Sequence, residues 1–170
     1  ELHANPELCY EENWTAEFIT EKLKSFGIEV HNKIGKTGVI GVLKGSNSQE
    51  HKSNRSIGLR ADMDALPIEE ENNFDYKSKF LGKMHACGHD GHMAILLGAA
   101  KVLTSKEKQF RGRVRFIFQP AEEGLGGANY MIEDGCLNGV DEIYGLHLWN
   151  YQNLGEVGVK EGPVMAAADM

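Results

Sequence analysis

Several features that would assign a chain to a particular class are scarce or missing here. The sequence contains only three cysteines, Cys9, Cys87 and Cys136, and this odd, widely spaced number excludes a disulfide framework. A reducing, cytoplasmic setting fits such cysteine usage best. No apolar run approaches the roughly 18–20 residues that a membrane helix needs, so we expect no membrane partner.

Positive charge is scarce as well. The chain has 18 Lys and Arg against 25 Asp and Glu, a formal net charge of -7, and its basic residues are scattered rather than gathered in a stripe. We therefore expect no nucleic-acid partner. We expect no signal peptide. The sequence has no internal repeat or low-complexity tract and does not begin with methionine. From the abrupt start and end we expect a piece of a longer protein.

What the sequence does contain is a composition that can form a core, with 41% hydrophobic and 25% charged residues in 170. The alternation of predicted strands and helices indicates an α/β fold, a three-layer arrangement with a mixed, mostly parallel sheet and helices on both faces. Periodicity predicts helices over residues 13–26, 91–104 and about 128–134, and strands over residues 28–30, 38–43, 57–61, 114–118, 143–148 and 155–159.

The densest chemistry lies in residues 85–92, His-Ala-Cys-Gly-His-Asp-Gly-His, immediately before a predicted helix. At a helix start, unpaired N–H groups and the positive end of the dipole favour a thiolate or a carboxylate over its protonated form. Cys87 and His89, with Gly88 between them, can point at one ion. Cys-x-His alone is a weak signal, because both residue types are also common in buried structural positions.

Three further groups of polar residues follow predicted strands. Asp62 and Asp64 follow one strand, Glu122 and Glu123 follow another, and His147 is expected to close a third. In sheets of this kind ligands bind beyond the carboxyl ends of the strands. We therefore expect these loops and the segment above to meet at one edge of the sheet.

Thiolate, imidazole and carboxylate donors together suit Zn²⁺, Mn²⁺, Co²⁺ or Ni²⁺ better than Ca²⁺ or Mg²⁺. Neighbouring side chains diverge in extended backbone, so one carboxylate of Glu122 and Glu123 can hold a metal while the other accepts a proton from a metal-bound water. Each group also has a structural alternative. The glutamates can be two solvated charges, His147 a core histidine, and Asp62 and Asp64 a hydrogen-bonded turn rather than groups that orient a ligand.

Other polar residues are predicted to be structural. The acidic run 69–71 is expected to be a solvated surface, and Cys9 and Cys136 are expected to be buried as small apolar residues. His92 is interpreted as a supporting residue rather than a ligand. No partner for His3 can be identified from the sequence.

Five blocks in the same order resemble the M20 metallopeptidases, and more specifically their amidohydrolase branch of N-acyl-amino-acid, hippurate and auxin-conjugate hydrolases. The blocks are residues 2–8, 59–67, 85–94, 119–123 and 145–149. The resemblance implies a zinc-exopeptidase-like catalytic domain with a two-metal centre. It assigns the ligand role to Cys87, His89, Glu123 and His147 and the general base to Glu122.

One block departs from the wider family. That family has a His-x-Asp metal motif where this chain has Asp62-Met63-Asp64. The resemblance therefore matches Asp64 to the supporting aspartate, whereas Asp62 stands where the family has a histidine.

The same resemblance implies hydrolysis of a small N-acyl amino acid to a carboxylate and a free amino acid, with two divalent ions, Zn²⁺ or Mn²⁺ first and Co²⁺ or Ni²⁺ as alternatives. Residues 1–170 would be the N-terminal part of the catalytic domain. Its C-terminal part, with a further histidine ligand, and a lid domain that forms a homodimer would lie outside this chain. A metallo-dipeptidase or aminopeptidase, and a metal-binding protein without turnover, are the alternatives.

Overall fold

The computed structural model describes residues 1–46, 55–124 and 126–164. Within these ranges the chain forms three α-helices, five strands and a short 3₁₀ turn at Glu107–Gln109. None of these helices is both long enough and apolar enough to cross a bilayer. The elements are α1 (Asn13–Ser25), β1 (Glu29–Ile34), β2 (Gly38–Lys44), β3 (Ser56–Asp62), α2 (His89–Thr104), β4 (Arg113–Gln119), α3 (Gly127–Glu133) and β5 (Glu142–Gly145).

The strands form one mixed sheet in the order β1-β2-β4-β3-β5. β1 and β2 are an antiparallel hairpin, and β2 also pairs antiparallel with β4. β3 pairs in parallel with both β4 and β5. The carboxyl ends of β3, β4 and β5 therefore lie at the same edge, and the predicted mixed α/β sheet is confirmed.

Alternate residues of β4 divide the core between the two faces of the sheet. Phe116 and Phe118 are fully buried in a cluster with Met93 and the apolar faces of α1 and α2. Ile117, between them, points to the opposite face and packs with Met131 of α3. Helices thus cover both faces, as the alternation of elements predicts.

α1 begins without a cap from its own N-cap residue. Glu12 occupies that position but makes no side-chain hydrogen bond to the helix. The carboxylate of Glu7 accepts the N–H groups of Trp14 and Thr15 instead, at 3.1 and 2.8 Å. The side chain of Glu12 is therefore left to contact another part of the molecule.

Two predictions about the C-terminal third are wrong. β5 ends at Gly145, so His147 lies two residues beyond the strand rather than closing it. The N–H of Leu148 donates to Nε2 of His92 at 2.9 Å, which takes it out of a sheet ladder. Residues 155–159 form no strand, and Val157 and Val159 are largely exposed rather than packed against the sheet.

Candidate metal centre

The loops after β3, β4 and β5 and the first turn of α2 all reach the edge at which the parallel strands end. Each loop begins where its strand loses a ladder partner, so polar side chains there are free to face a common space. Asp62 is the last residue of β3 and Asp64 lies in the loop after it, whereas Asp62 was expected to follow the strand. Glu122 and Glu123 follow β4, His147 follows β5, and Cys87 and His89 lie just before and at the start of α2.

His89 is common to three groups of side chains that can hold a metal ion. Within each group the ligand atoms lie within 4.8 Å of one another. His85, from the same segment, is buried but belongs to no such group in the described part of the chain. The three groups are Cys87 with His89 and His147, Asp62 with His89 and His92, and His89 with Glu122 and Glu123.

His89 presents one ring nitrogen to the protein and the other to the acidic edge. Its Nδ1–H donates to the carbonyl oxygen of Asp64 at 2.8 Å. Nε2 is buried without a hydrogen-bond partner. Carboxylate oxygens of Asp62, Glu123 and Glu122 lie 3.6, 3.6 and 3.8 Å from it. Burial lowers the pKa of His89, but the hydrogen bond to Asp64 and the negative charge around the ring raise it above the ordinary value.

His147 has the same tautomer. Its Nδ1–H donates to the carbonyl oxygen of Leu148 at 2.6 Å, and its Nε2 lies 3.4 Å from Sγ of Cys87. A backbone carbonyl that accepts Nδ1–H leaves the lone pair on Nε2 available, which is the arrangement common to metal-binding histidines. His89 and His147 are therefore both prepared to bind a cation through Nε2.

His92 is as buried as His89 but has no available nitrogen. Its Nδ1–H donates to Oδ1 of Asp62 at 2.6 Å, and its Nε2 accepts the N–H of Leu148 at 2.9 Å. Because a backbone N–H only donates, the lone pair of Nε2 is already used. Arg60 donates to the other oxygen of Asp62 at 2.7 Å. Asp62 and His92 thus form a closed hydrogen-bonded pair beside the donor atoms.

Asp64 holds the backbone of the glutamate pair. Its Oδ1 accepts the N–H of Glu122 and its Oδ2 accepts that of Glu123, each at 3.0 Å. Burial raises the pKa of Asp64, but these hydrogen bonds and the contact with His89 lower it to about 2. The thiol of Cys9 also donates to Oδ2, at 3.1 Å. The prediction that Cys9 is a buried apolar residue is therefore wrong, whereas Cys136 is buried as expected.

The two glutamates differ in exposure. The side chain of Glu123 is 20% exposed and that of Glu122 is 41% exposed. Burial and the negative charges of Asp62 and Glu123 raise the pKa of Glu122 above its ordinary value. An open carboxylate with a raised pKa is suited to exchange a proton, and an inward carboxylate is suited to bind a cation.

Two observations fit a divalent cation at this edge. Nε2 of His89 and Oε1 of Glu123 are both buried without a hydrogen-bond partner, and they face each other at 3.6 Å. Burial also raises the pKa of Cys87 to about 12, and the carboxylates of Glu123 and Glu122 add to this effect. Burial first, and the acidic neighbours second, therefore oppose the thiolate that the helix start favours. A divalent cation between His89 and Glu123 would be bound by both of these buried atoms.

A surface cavity of about 430 Å³ opens beside these residues. It is lined by residues 86–88 and 147–150, so Cys87 and His147 form part of its wall. Trp149 packs edge-on against His147, with 5.6 Å between ring centroids. Cys87 and His147 are thus reached from a space large enough for a small molecule.

Hydrogen bonds of His3 hold the first turn of α2, and the sequence alone does not predict them. His3 lies 2.8 Å from the carboxylate of Asp90, in the first turn of α2, and 3.0 Å from that of Glu70. Glu70 is only 8% exposed, so the acidic run 69–71 is not simply a solvated surface. His3 belongs to the first block of the resemblance, which is the one sequence signal that pointed to it.

Known proteins provide an independent comparison. The family model described as Peptidase family M20/M25/M40 matches residues 58–164. An N-acyl-L-amino acid amidohydrolase of Geobacillus stearothermophilus is 48% identical over 99% of this chain, which corresponds to 44% of that protein. A hippurate hydrolase of Campylobacter jejuni is 50% identical over 99% of this chain and 43% of that protein.

A solved structure agrees. A Bacillus subtilis protein described as a dinuclear metal-binding peptidase of the M20 family superposes with a TM-score of 0.89 and 45% identity. The match covers 95% of this chain and 44% of that one. The chain therefore spans less than half the length of these relatives.

Proposed function

The chain belongs to peptidase family M20/M25/M40, and from that premise we propose that its full-length protein is a metal-dependent amidohydrolase. The proposed substrate is a small N-acyl amino acid, and the products are a carboxylate and a free amino acid. Relatives at 48% and 50% identity are named as an N-acyl-L-amino acid amidohydrolase and a hippurate hydrolase, which supports this substrate class.

One observation carries the proposal. The buried, unpartnered Nε2 of His89 faces carboxylate oxygens of Glu123, Glu122 and Asp62 at 3.6–3.8 Å. An acidic cluster around a free imidazole lone pair is costly without a positive charge. A metal ion at this edge would remove this cost, as a proton on Nε2 would, and the raised pKa of His89 reflects the same preference for positive charge.

Cys87, His89, Glu123 and His147 would hold two divalent ions, Zn²⁺ or Mn²⁺ in the first instance and Co²⁺ or Ni²⁺ as alternatives. Two ions are supported by the similarity to the dinuclear Bacillus subtilis protein. When bound, such ions polarise an amide carbonyl and lower the pKa of water. Asp62 and Asp64 lie behind these donors, where they orient His92 and the glutamate backbone.

Glu122 would act as the general base and acid. Its carboxylate is the more exposed of the pair and lies 3.8 Å from Nε2 of His89. It would accept a proton from the attacking water and return it to the amide nitrogen as the C–N bond breaks. The proton balance closes within one turnover, because the carboxylate is regenerated when the amine leaves.

We further propose that residues 1–170 are the N-terminal part of a catalytic domain whose remainder, with a lid that mediates homodimerisation, belongs to the rest of the full-length protein. The relatives, of which this chain spans 42–44%, support this division. A cytoplasmic location is proposed from the three free cysteines.

The test uses the full-length protein with added Zn²⁺ or Mn²⁺, and with chelator, on a panel of N-acetyl amino acids, N-benzoyl amino acids and dipeptides. Release of free amino acid is measured. Chelator-sensitive cleavage of the acyl amino acids is the expected result. Cleavage of dipeptides alone would replace the proposal with a dipeptidase, and bound metal without any cleavage would replace it with a metal-binding protein.

A further inference from the structure

Glu12 is a fully buried carboxylate that the proposed reaction does not use. It is 0% exposed although it lies next to the exposed Glu11 at the start of α1. Its Oε2 accepts the hydroxyl of Thr37 at 2.6 Å. Its Oε1 accepts the N–H of Ala121 at 2.9 Å, across 109 positions of sequence. The residue that Glu12 reaches is therefore the one immediately before the glutamate pair.

Ala121 has an unusual backbone. Its φ is +50°, in the left-handed region that non-glycine residues rarely adopt, and its side chain is fully buried. Such a conformation persists only where the surroundings hold it. Here the N–H is held by Glu12 and the carbonyl accepts the N–H of Gly127 at 3.1 Å. Gly127 cannot be larger, because a Cβ there would lie 1.8 Å from the carbonyl oxygen of Pro120.

Three successive backbone N–H groups are thus held by two buried carboxylates. Glu12 accepts that of Ala121, and Asp64 accepts those of Glu122 and Glu123 at 3.0 Å each. Hydrogen bonds to a carboxylate are shorter and stronger than those to neutral acceptors. The backbone that carries the proposed base and the proposed ligand is fixed from both sides.

We propose that Glu12 is a positioning residue for the reaction: its carboxylate holds Ala121 in its left-handed conformation and thereby aims Glu122 and Glu123 at the metal centre. This inference rests on the proposed function and deepens it. Glu12 does not touch the reacting atoms and acts only through the backbone of the 121–123 turn. A shift of about 1 Å in such a turn is enough to cost about 10²-fold in rate.

Two substitutions in the full-length protein separate geometry from charge. Glu12→Gln keeps an oxygen for the N–H of Ala121 and an amide that can donate to Thr37, so it should preserve the turn. Glu12→Leu has a similar volume but leaves the N–H of Ala121 without an acceptor. Leu23→Ala, in the core-facing side of the same helix, is the matched control for lost stability, because Leu23 is fully buried and packs beneath β2.

With saturating metal, and at a temperature at which all variants are folded, we expect Glu12→Leu to lower kcat by about 10–100-fold with little change in KM. Glu12→Gln and Leu23→Ala should both retain kcat close to wild type. Hydrogen exchange of the amides of residues 121–123 provides a readout apart from turnover. These amides should lose protection in Glu12→Leu and keep it in the other two variants, while α2 stays protected in all three.

Retention of wild-type kcat and of amide protection in Glu12→Leu would overturn the inference, and so would an equal fall of kcat in Leu23→Ala. Failure of the proposed function looks different. In that case the wild-type protein shows no chelator-sensitive hydrolysis, yet selective loss of protection at residues 121–123 in Glu12→Leu still supports the positioning of this turn.

Discussion

His89 and His92 lie one turn apart on α2 and are 1% and 2% exposed. They differ in whether a ring nitrogen remains available to bind a cation. In His89, Nδ1–H donates to a backbone carbonyl, and Nε2 has no hydrogen-bond partner and lies among carboxylates. In His92 both ring nitrogens are hydrogen-bonded: Nδ1–H donates to Asp62, and Nε2 accepts the N–H of Leu148. Burial and spacing do not distinguish the proposed ligand, His89, from the proposed supporting residue, His92. The hydrogen-bond partner of each nitrogen does.

His92 supports a second donor residue, His147. By accepting the N–H of Leu148, His92 fixes the backbone next to His147, whose Nε2 lies beside the thiol of Cys87. Asp62 holds His92 in the required tautomer, and Arg60 in turn balances the charge of Asp62. His92 therefore connects the end of β3 with the segment after β5 that carries His147.

Substitution of His89 or of His92 by phenylalanine tests the difference between the two histidines, and it has the largest expected effect. His89→Phe removes the nitrogen shared by all three donor groups, so we expect loss of bound metal and a fall of turnover to the chelated background. His92→Phe leaves the four proposed ligands in place but removes the hydrogen bond that holds the backbone beside His147, so metal affinity should weaken by about 10–100-fold while full stoichiometry returns at high metal. Metal content is measured at graded free Zn²⁺. Equal loss of stoichiometry in both variants would break the comparison.

Substitutions of the two glutamates test a second comparison, between the proposed base and the proposed ligand, with the next largest expected effect. Glu122→Gln should keep its metal and lose about 10²–10⁴-fold in kcat, because a neutral amide cannot accept the proton. Glu123→Gln should instead bind metal more weakly, since its buried Oε1 faces His89. Metal titration and steady-state kinetics on the two variants are compared side by side. Full activity in Glu122→Gln would remove this residue as the base.

The smallest effect concerns the anchor of α2, the helix that presents both histidines. Burial raises the pKa of Glu70, but hydrogen bonds from His3, Ser78 and Asn72 lower it from 4.5 to about 2. A carboxylate with a lowered pKa stabilises the fold above its ordinary pKa, and this contribution disappears as the pH falls through the lowered value. Glu70→Gln should therefore lower Tm by about 2–4 °C near pH 6, corresponding to about 1 kcal/mol.

This difference in Tm between Glu70→Gln and wild type should shrink as the pH is lowered from 4.5 towards 2. Thermal unfolding of both proteins across this range is the measurement. A difference that stays constant with pH would mean that Glu70 acts by packing and not by its charge.

Much of the fold could be predicted because it depends on local patterns. The apolar alternation of β4 and the 3.6-residue period of α2 can be recognised without knowledge of the tertiary contacts. Because ligands bind beyond the carboxyl ends of parallel strands, the polar loops are then predicted to meet at one edge of the sheet. The end of β5 could not be predicted in this way. It depends on His92 taking the N–H of Leu148, a contact between residues 56 positions apart.

The electrostatics of the site also escaped local reasoning. Cys87 lies at a helix start, which by itself favours a thiolate. In the folded chain, burial and then the carboxylates of residues distant in sequence raise the pKa of its thiol. Glu12 and His3 gave no periodic signal, because their partners, Ala121 and Asp90, lie 109 and 87 positions away.

By itself, the sequence determined the kinds of donor atoms available, the strands and helices that carry them, and the edge at which they gather, because each follows from residue type and local periodicity. Only the tertiary structure decided which histidine keeps a free nitrogen, which glutamate faces inward, and which buried carboxylates hold the turn between them. Those choices depend on hydrogen bonds between residues far apart in the chain, and such bonds exist only once the sheet has formed.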